Sequence, residues 1–193
     1  MKIFLIRHGK TRLSEEGRYQ GSLDLGLSAD GKAALRPAAE RPEHVYVSPA
    51  LRAGETARIL FPNARQIEIA SLREMDFGVF EGRGWWEMEQ DPAYRAWVDS
   101  GCRDRCPGGE DRTAFSERVC EAFRQILETE QLNREAEVFV VAHGGTQMAV
   151  LERWGSPARE YYRWQSRCGC GWLLDWEGKE ERLRVQEELC FLK

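Results

Sequence analysis

Apolar residues in this chain fall into short unbroken runs and into spaced patterns. Residues 2–7 (KIFLIR), 44–47 (HVYV), 67–70 (IEIA) and 137–142 (EVFVVA) read as strands covered on both faces, because they lack polar alternation. Residues 170–176 and 181–189 predict a terminal hairpin turning at Glu177-Gly178. Helical spacing is clearest over 112–130, where Phe115, Val119, Ala122, Phe123, Ile126 and Leu127 make one apolar stripe. Ser48-Pro49 predicts a serine N-cap and a proline at the first helical position, with the helix running to about Leu60 and stopped by Pro62. A helix after Ser28 must kink or end at Pro37. Strand and helix alternate, so the fold class is α/β: a three-layer sandwich with a mostly parallel central sheet flanked by helices. The irregular, aromatic and glycine-containing segment at about 81–111 reads as a small inserted cap on a single domain spanning 1–193.

Composition narrows this picture. At 193 residues, with 42% apolar and 31% charged side chains, the chain is long enough for a proper core. No apolar run approaches the roughly 18 residues of a membrane span, and the first run lacks a signal-peptide cleavage site. The expectation is a cytoplasmic protein with no membrane partner. A net charge of −4 gives no basic field for nucleic acid. Any positive charge that meets an anionic ligand must therefore be local. The six cysteines lie without a histidine near either close pair, so they read as free thiols, with no metal expected.

The first and fourth runs end on unusual residues. Arg7-His8-Gly9 and His143-Gly144-Gly145 both fall at predicted carboxyl ends of strands, where α/β sheets bind ligands. A guanidinium offers a planar fork of donors suited to phosphate. A neutral imidazole is a nucleophile, and nearby arginines keep it neutral. Arg52 sits in the first turn of the helix predicted after Ser48, and Gly144-Gly145 would open another helix, each with free N–H groups for an anion. Together these parts describe a phosphate cradle around His8. A carboxyl group facing a phosphate dianion holds its proton for a leaving oxygen, and Glu74, just past the strand at 67–70, is the candidate acid.

Five segments also carry a family resemblance. "LIRHGKT" resembles the signature of the phosphoryl-accepting histidine in the histidine phosphatase superfamily, whose fold is called phosphoglycerate-mutase-like. "EGRYQGSLDLGLSADG" is similar to the family stretch that follows. "VYVSPALRAGETARIL" is similar to the segment of the second phosphate arginine, "LREMDFGVFEG" to the proton-donor segment, and "VVAHGGT" to the second-histidine segment. The order is the family's own. The resemblance implies a phosphohistidine at His8, phosphoryl contacts from Arg7, Arg52, His143 and the Gly144 backbone, and Glu74 as acid and then base. It implies no cofactor. Two departures stand out: the family usually has an acidic residue where Lys10 is, and a phosphate-contacting asparagine where Ser14 is. Ser14 still offers a hydroxyl. Arg18, Tyr19, Gln20 and Gly21 are candidates for the substrate mouth.

The family contains phosphatases and mutases. A mutase must hold a second anionic group, yet residues 85–100 are aromatic and acidic with Arg95 their only cation. The expected activity is therefore metal-independent hydrolysis of a small phosphorylated metabolite. "AYRAWVDS" and "PGGEDRTAFSERV" resemble the alpha-ribazole phosphatase branch, which implies alpha-ribazole 5'-phosphate. A phosphoglycerate mutase and a non-catalytic phospholigand-binding protein are the alternatives, and a homodimer is the expected assembly. Trp85, Trp86, Tyr94 and Trp97 are spaced for core packing, with the wall of a pocket for a ring-bearing substrate as the alternative; His44 reads as a surface or strand-capping residue, and the run "EGKEERLRVQEE" as a charged sheet edge.

Overall fold

The structure, a computed structural model, describes residues 1–178 and 181–193. In chain order its elements are β1 (Lys2–Arg7), α1 (Arg12–Glu15), α2 (Ala29–Ala34), β2 (His44–Val47), α3 (Leu51–Leu60), β3 (Arg65–Glu68), α4 (Pro92–Asp99), α5 (Arg112–Leu132), β4 (Glu137–Ala142), α6 (Gly144–Trp154), β5 (Gly155–Ser156), β6 (Cys170–Glu177) and β7 (Arg182–Cys190). The strands form one sheet in the order β3-β2-β4-β1-β6-β7-β5. The first four strands in that order are mutually parallel, β6 is antiparallel to both β1 and β7, and β5 runs parallel to β7. The mostly parallel α/β sandwich expected from the unbroken apolar runs is the observed fold.

Alternation inside those runs feeds two cores. Ile3 and Leu5 of β1 face Val119, Phe123 and Ile126 of α5 and Val150 of α6. Phe4 and Ile6 face the other way, toward Ala53, Ala57 and Leu60 of α3 and Leu35 beyond α2. A strand that is apolar at every position needs a layer on each side, and this sheet has both.

Several boundaries differ from expectation for local reasons. α3 begins at Leu51 with Ala50 as N-cap, so Ser48 does not cap it. Asp24 Oδ1 instead accepts the Leu51 N–H at 2.7 Å, while the Ser48 hydroxyl turns into the interior. β3 covers 65–68 rather than 67–70, because it pairs with β2 from His44↔Arg65 to Val47↔Glu68 and then gives way to a 3-10 turn at Ala70–Leu72. α2 ends at Ala34, ahead of Pro37, with Ser28 Oγ accepting the Gly31 N–H at 2.9 Å. The terminal hairpin forms as predicted. Part of its turn and of the charged run, Lys179 and Glu180, lies outside the described residues. Cys170 and Cys190 are not the free thiols expected: they are register partners across β6 and β7 and form a disulfide 20 residues apart in sequence. Antiparallel pairing brings them opposite each other, which spacing alone does not show.

Segment 81–111 contains α4 and a 3-10 turn at Trp85–Glu87. Tyr94, Trp97, Met88 and Cys106 bury into the core that α5 shares, as packing residues should, whereas Trp85 (55%) and Trp86 (44%) are exposed. Their spacing of one places them on a short turn with no layer above it. Among the described residues no helix is long and apolar enough to cross a membrane.

Candidate active site

β1 and β4 are neighbours in register, with Arg7 paired to Ala142, so both runs end at the same edge of the sheet. That pairing brings His8 and His143 together: their ring centroids are 5.2 Å apart, in an edge-to-face arrangement. Both imidazoles are buried. His8 Nδ1 lies 2.7 Å from the Gly9 carbonyl. A carbonyl only accepts, so Nδ1 carries the proton and Nε2 keeps its lone pair. Burial, then the nearby Arg52 and Arg7 guanidiniums, hold His8 well below its ordinary pKa and keep the ring neutral. Burial and the same arginines also lower His143, with His8 contributing.

Arg52 is carried into this corner by the first turn of α3 and is 1% exposed. Its Nη1 and Nη2 donate to the carbonyls of Leu23 (2.9 Å) and Gly21 (2.8 Å), and Arg7 Nη1 donates to the Ser166 carbonyl at 2.6 Å. Among the described residues Arg7 Nε, Arg52 Nε and His143 Nδ1 have no hydrogen-bond partner although buried. Buried polar atoms normally find partners, so the orphaned nitrogens of Arg7 and Arg52, which line one cavity, suit that cavity to a polar ligand. Burial also lowers the pKa of Arg52, against the opposing pull of the Glu74, Asp24 and Glu81 carboxylates.

Glu74 reaches the same corner. Its Oε2 accepts the Gly145 N–H at the start of α6 at 3.1 Å, and its Oε1 accepts the Met75 N–H at 3.0 Å. This close approach needs glycine at 145, since a Cβ there would lie 2.1 Å from Glu74 Oε1. Gly21 has φ of +51°, and a Cβ would meet Glu81 Oε1 at 2.0 Å, so its turn too requires glycine.

One cavity of about 720 Å³ joins these groups. Arg7, His8, Arg52, Glu74 and Gly144 line it, as do Ser14, Arg18, Tyr19, Gln20 and Gly21. His143 is the exception: it stands behind the wall, beside His8, with Nε2 2.7 Å from Ser48 Oγ. The expected substrate-mouth residues are already engaged. Ser14 Oγ accepts the Thr11 N–H and donates to the Thr11 carbonyl in a capping box. Arg18 pairs with Glu16 and Glu87. Gln20 accepts from Thr11 Oγ1, and the Tyr19 hydroxyl is 2.9 Å from that of Tyr94.

A family model described as the histidine phosphatase superfamily (branch 1) matches residues 3–188. The chain belongs to the histidine phosphatase superfamily. It is thus an enzyme of that superfamily, a phosphatase or a mutase. The crystal structure of the alpha-ribazole phosphatase from Shigella flexneri superposes with a TM-score of 0.79 at 25% identity, covering 99% of this chain and 96% of that one. The crystal structure of phosphoglycerate mutase from Thermus thermophilus gives a TM-score of 0.74 at 32% identity, covering 98% and 99%. In sequence, a Hydrogenobacter thermophilus protein named "Putative phosphoserine phosphatase 2" is 29% identical over 159 residues, covering 78% of this chain and 76% of that protein.

Several residues of this superfamily site were not legible in the sequence. Thr56 Oγ1 accepts the Gly9 N–H at 2.9 Å and donates to the Arg52 carbonyl, tying the loop after His8 to α3. The Ser166 backbone holds Arg7, and Ser48 meets His143. Arg112 and Arg167 line the cavity from segments outside the cap, whereas Arg95 does not line it. The Gly9–Thr56, Ser48–His143 and Arg7–Ser166 contacts join residues 47 to 159 positions apart, and no local pattern signals them.

Proposed function

We propose that the enzyme is a phosphomonoesterase that hydrolyses a small phosphorylated metabolite through a phosphohistidine, with alpha-ribazole 5'-phosphate the first substrate to test. The supporting observation is the convergence of a neutral His8, whose Nε2 keeps its lone pair, with the orphaned guanidinium nitrogens of Arg7 and Arg52. His8 Nε2 attacks phosphorus, and the bond to the ester oxygen breaks. A protonated Glu74 gives its proton to that oxygen. The carboxylate then takes a proton from water as the water oxygen attacks phosphorus. The P–N bond breaks, which releases inorganic phosphate and returns neutral His8 and protonated Glu74. Arg7, Arg52 and the N-terminus of α6 with Gly144 stabilise the charge on the phosphoryl oxygens, and His143 stands beside His8 behind the cavity wall. The guanidiniums supply the positive charge, so the proposed reaction runs without a metal.

The names of the Shigella and Hydrogenobacter relatives support hydrolysis. The mutase reading keeps one observation in its favour. Arg112 and Arg167 supply cations that the cap lacks, so residues 85–100 alone do not exclude a second anionic group. The test is phosphate release from 4-nitrophenyl phosphate and alpha-ribazole 5'-phosphate, with and without EDTA. His8→Ala should abolish release and EDTA should leave it intact. Full activity of His8→Ala would refute the reading, and isomerisation of 3-phosphoglycerate outpacing its hydrolysis would replace it with the mutase.

A further inference from the structure

The cavity is much larger than a phosphate group, and its charge is lopsided. Arg7, Lys10, Arg18, Arg52, Arg112 and Arg167 line it against a single carboxylate, Glu74, in a chain whose net charge is −4. Three of these cations have assigned work. Arg7 and Arg52 are tied to backbone carbonyls around His8, and Arg18 is neutralised by Glu16 and Glu87. Among the described residues no carboxylate pairs with Lys10, Arg112 or Arg167.

Arg112 is the best placed of the three. It is the first residue of α5, and the N-cap carboxylate beside it is taken: Asp111 accepts the Ala114 N–H and pairs with Arg105. The guanidinium carbon of Arg112 lies 4.8 Å from the Tyr161 ring centroid and 5.9 Å from that of Tyr162. Those faces hold the fork in place without neutralising it. The same segment continues through Gln165 to Arg167, both on the cavity wall. Glu74, the one carboxylate on the wall, is bound to the N–H groups of Met75 and Gly145.

We infer that Arg112 and Arg167, with Lys10 at the mouth, form an outer anion subsite, so that the preferred substrate is a phosphomonoester whose leaving group carries a second anionic group. This rests on the phosphoryl centre being at His8. It ranks such an ester ahead of alpha-ribazole 5'-phosphate, whose leaving group is an uncharged nucleoside, and leaves the hydrolytic chemistry at His8 unchanged. The shared chemistry of the second group is an oxyanion, either a carboxylate or a phosphate.

Binding separates this inference from the question of turnover. Calorimetry on the His8→Ala protein compares 3-phosphoglycerate with glycerol 3-phosphate, which differ by a carboxylate in place of an alcohol. Fructose 1,6-bisphosphate against fructose 6-phosphate forms the second arm. The member with the second anionic group should, in at least one pair, bind about tenfold more tightly or better, as expected for a hydrogen bond to a charged group. The arm that shows it identifies the oxyanion. Arg112→Gln and, separately, the exposed Arg167→Gln, each in the His8→Ala background, should bring that ratio to within about twofold. A merely structural role for Arg112 would weaken both members of a pair alike. Equal affinity within both pairs, or a ratio untouched by both substitutions, would overturn the subsite. Absence of phosphate release by the unmutated enzyme would instead refute only the hydrolytic reading.

Discussion

At the scale of single residues, the site is defined by what its polar atoms lack. Arg7 Nε, Arg52 Nε and His143 Nδ1 are buried with no partner among the described residues, which costs stability that a surface arginine or histidine would not cost. A ligand that accepts from the two arginine nitrogens, on residues that line the cavity, removes part of that cost. Glu74 is held by two backbone N–H groups on the wall of the cavity that His8 also lines. Glu74→Gln keeps the size of the side chain and loses the transferable proton. For an alkyl phosphate, kcat should fall by about 10²–10⁴-fold with little change in KM. The fall should be smaller for 4-nitrophenyl phosphate, whose leaving group needs no proton. Steady-state kinetics on the two esters check this; an equal fall on both would place Glu74 in a binding role.

At the scale of elements, the sheet does the positioning. β1 and β4 run parallel in adjacent places, and each is followed directly by a histidine and a glycine. Two helices turn their N-termini toward the same corner, α6 directly after His143 and α3, which follows β2, with Arg52 in its first turn. The position of these strand ends depends on packing beneath them. Phe4 of β1 and Phe139 of β4 stack with ring centroids 4.3 Å apart, and Phe61 packs edge-on to Phe139. Phe139→Ala should therefore destabilise the protein by about 3–5 kcal/mol, read as a lower urea midpoint with unchanged slope. A loss under about 1 kcal/mol would mean that this stack is not holding the two strands together. The strands and α5 were legible because an unbroken apolar run and a 3.6-residue stripe are local signals. The start of α3 was misread because Ser48 had a better partner than its own helix: a buried imidazole 95 residues away. The Cys170–Cys190 pairing was hidden for a similar reason, since register across a hairpin is not written in either strand alone.

At the scale of the whole molecule, burying two uncharged histidines ties the site to stability. Burial and the arginines hold His8 and His143 well below the ordinary value of 6.5 in the folded state. Below that value the unfolded chain takes up protons that the folded chain refuses. The unfolded state then binds more protons, so stability falls as pH is lowered from about 7 toward 5, by up to about 1.4 kcal/mol per pH unit for each histidine. Urea unfolding at both pH values should show His8→Gln losing less stability on acidification than the unmutated protein. Equal losses would mean that His8 takes up its proton without unfolding.

Sequence alone determined the α/β alternation, the two strand-end histidines, the arginines at 7 and 52 and, through five ordered motifs, the family. All of these are carried by residues close together in the chain. Only the tertiary structure decided that Ser48 meets His143, that Thr56 links Gly9 to Arg52, and that Arg112 and Arg167 add their charge to a cavity whose core lies at His8. A cavity is made where separate elements meet. Its electrostatics are a sum over residues that sequence distance does not relate.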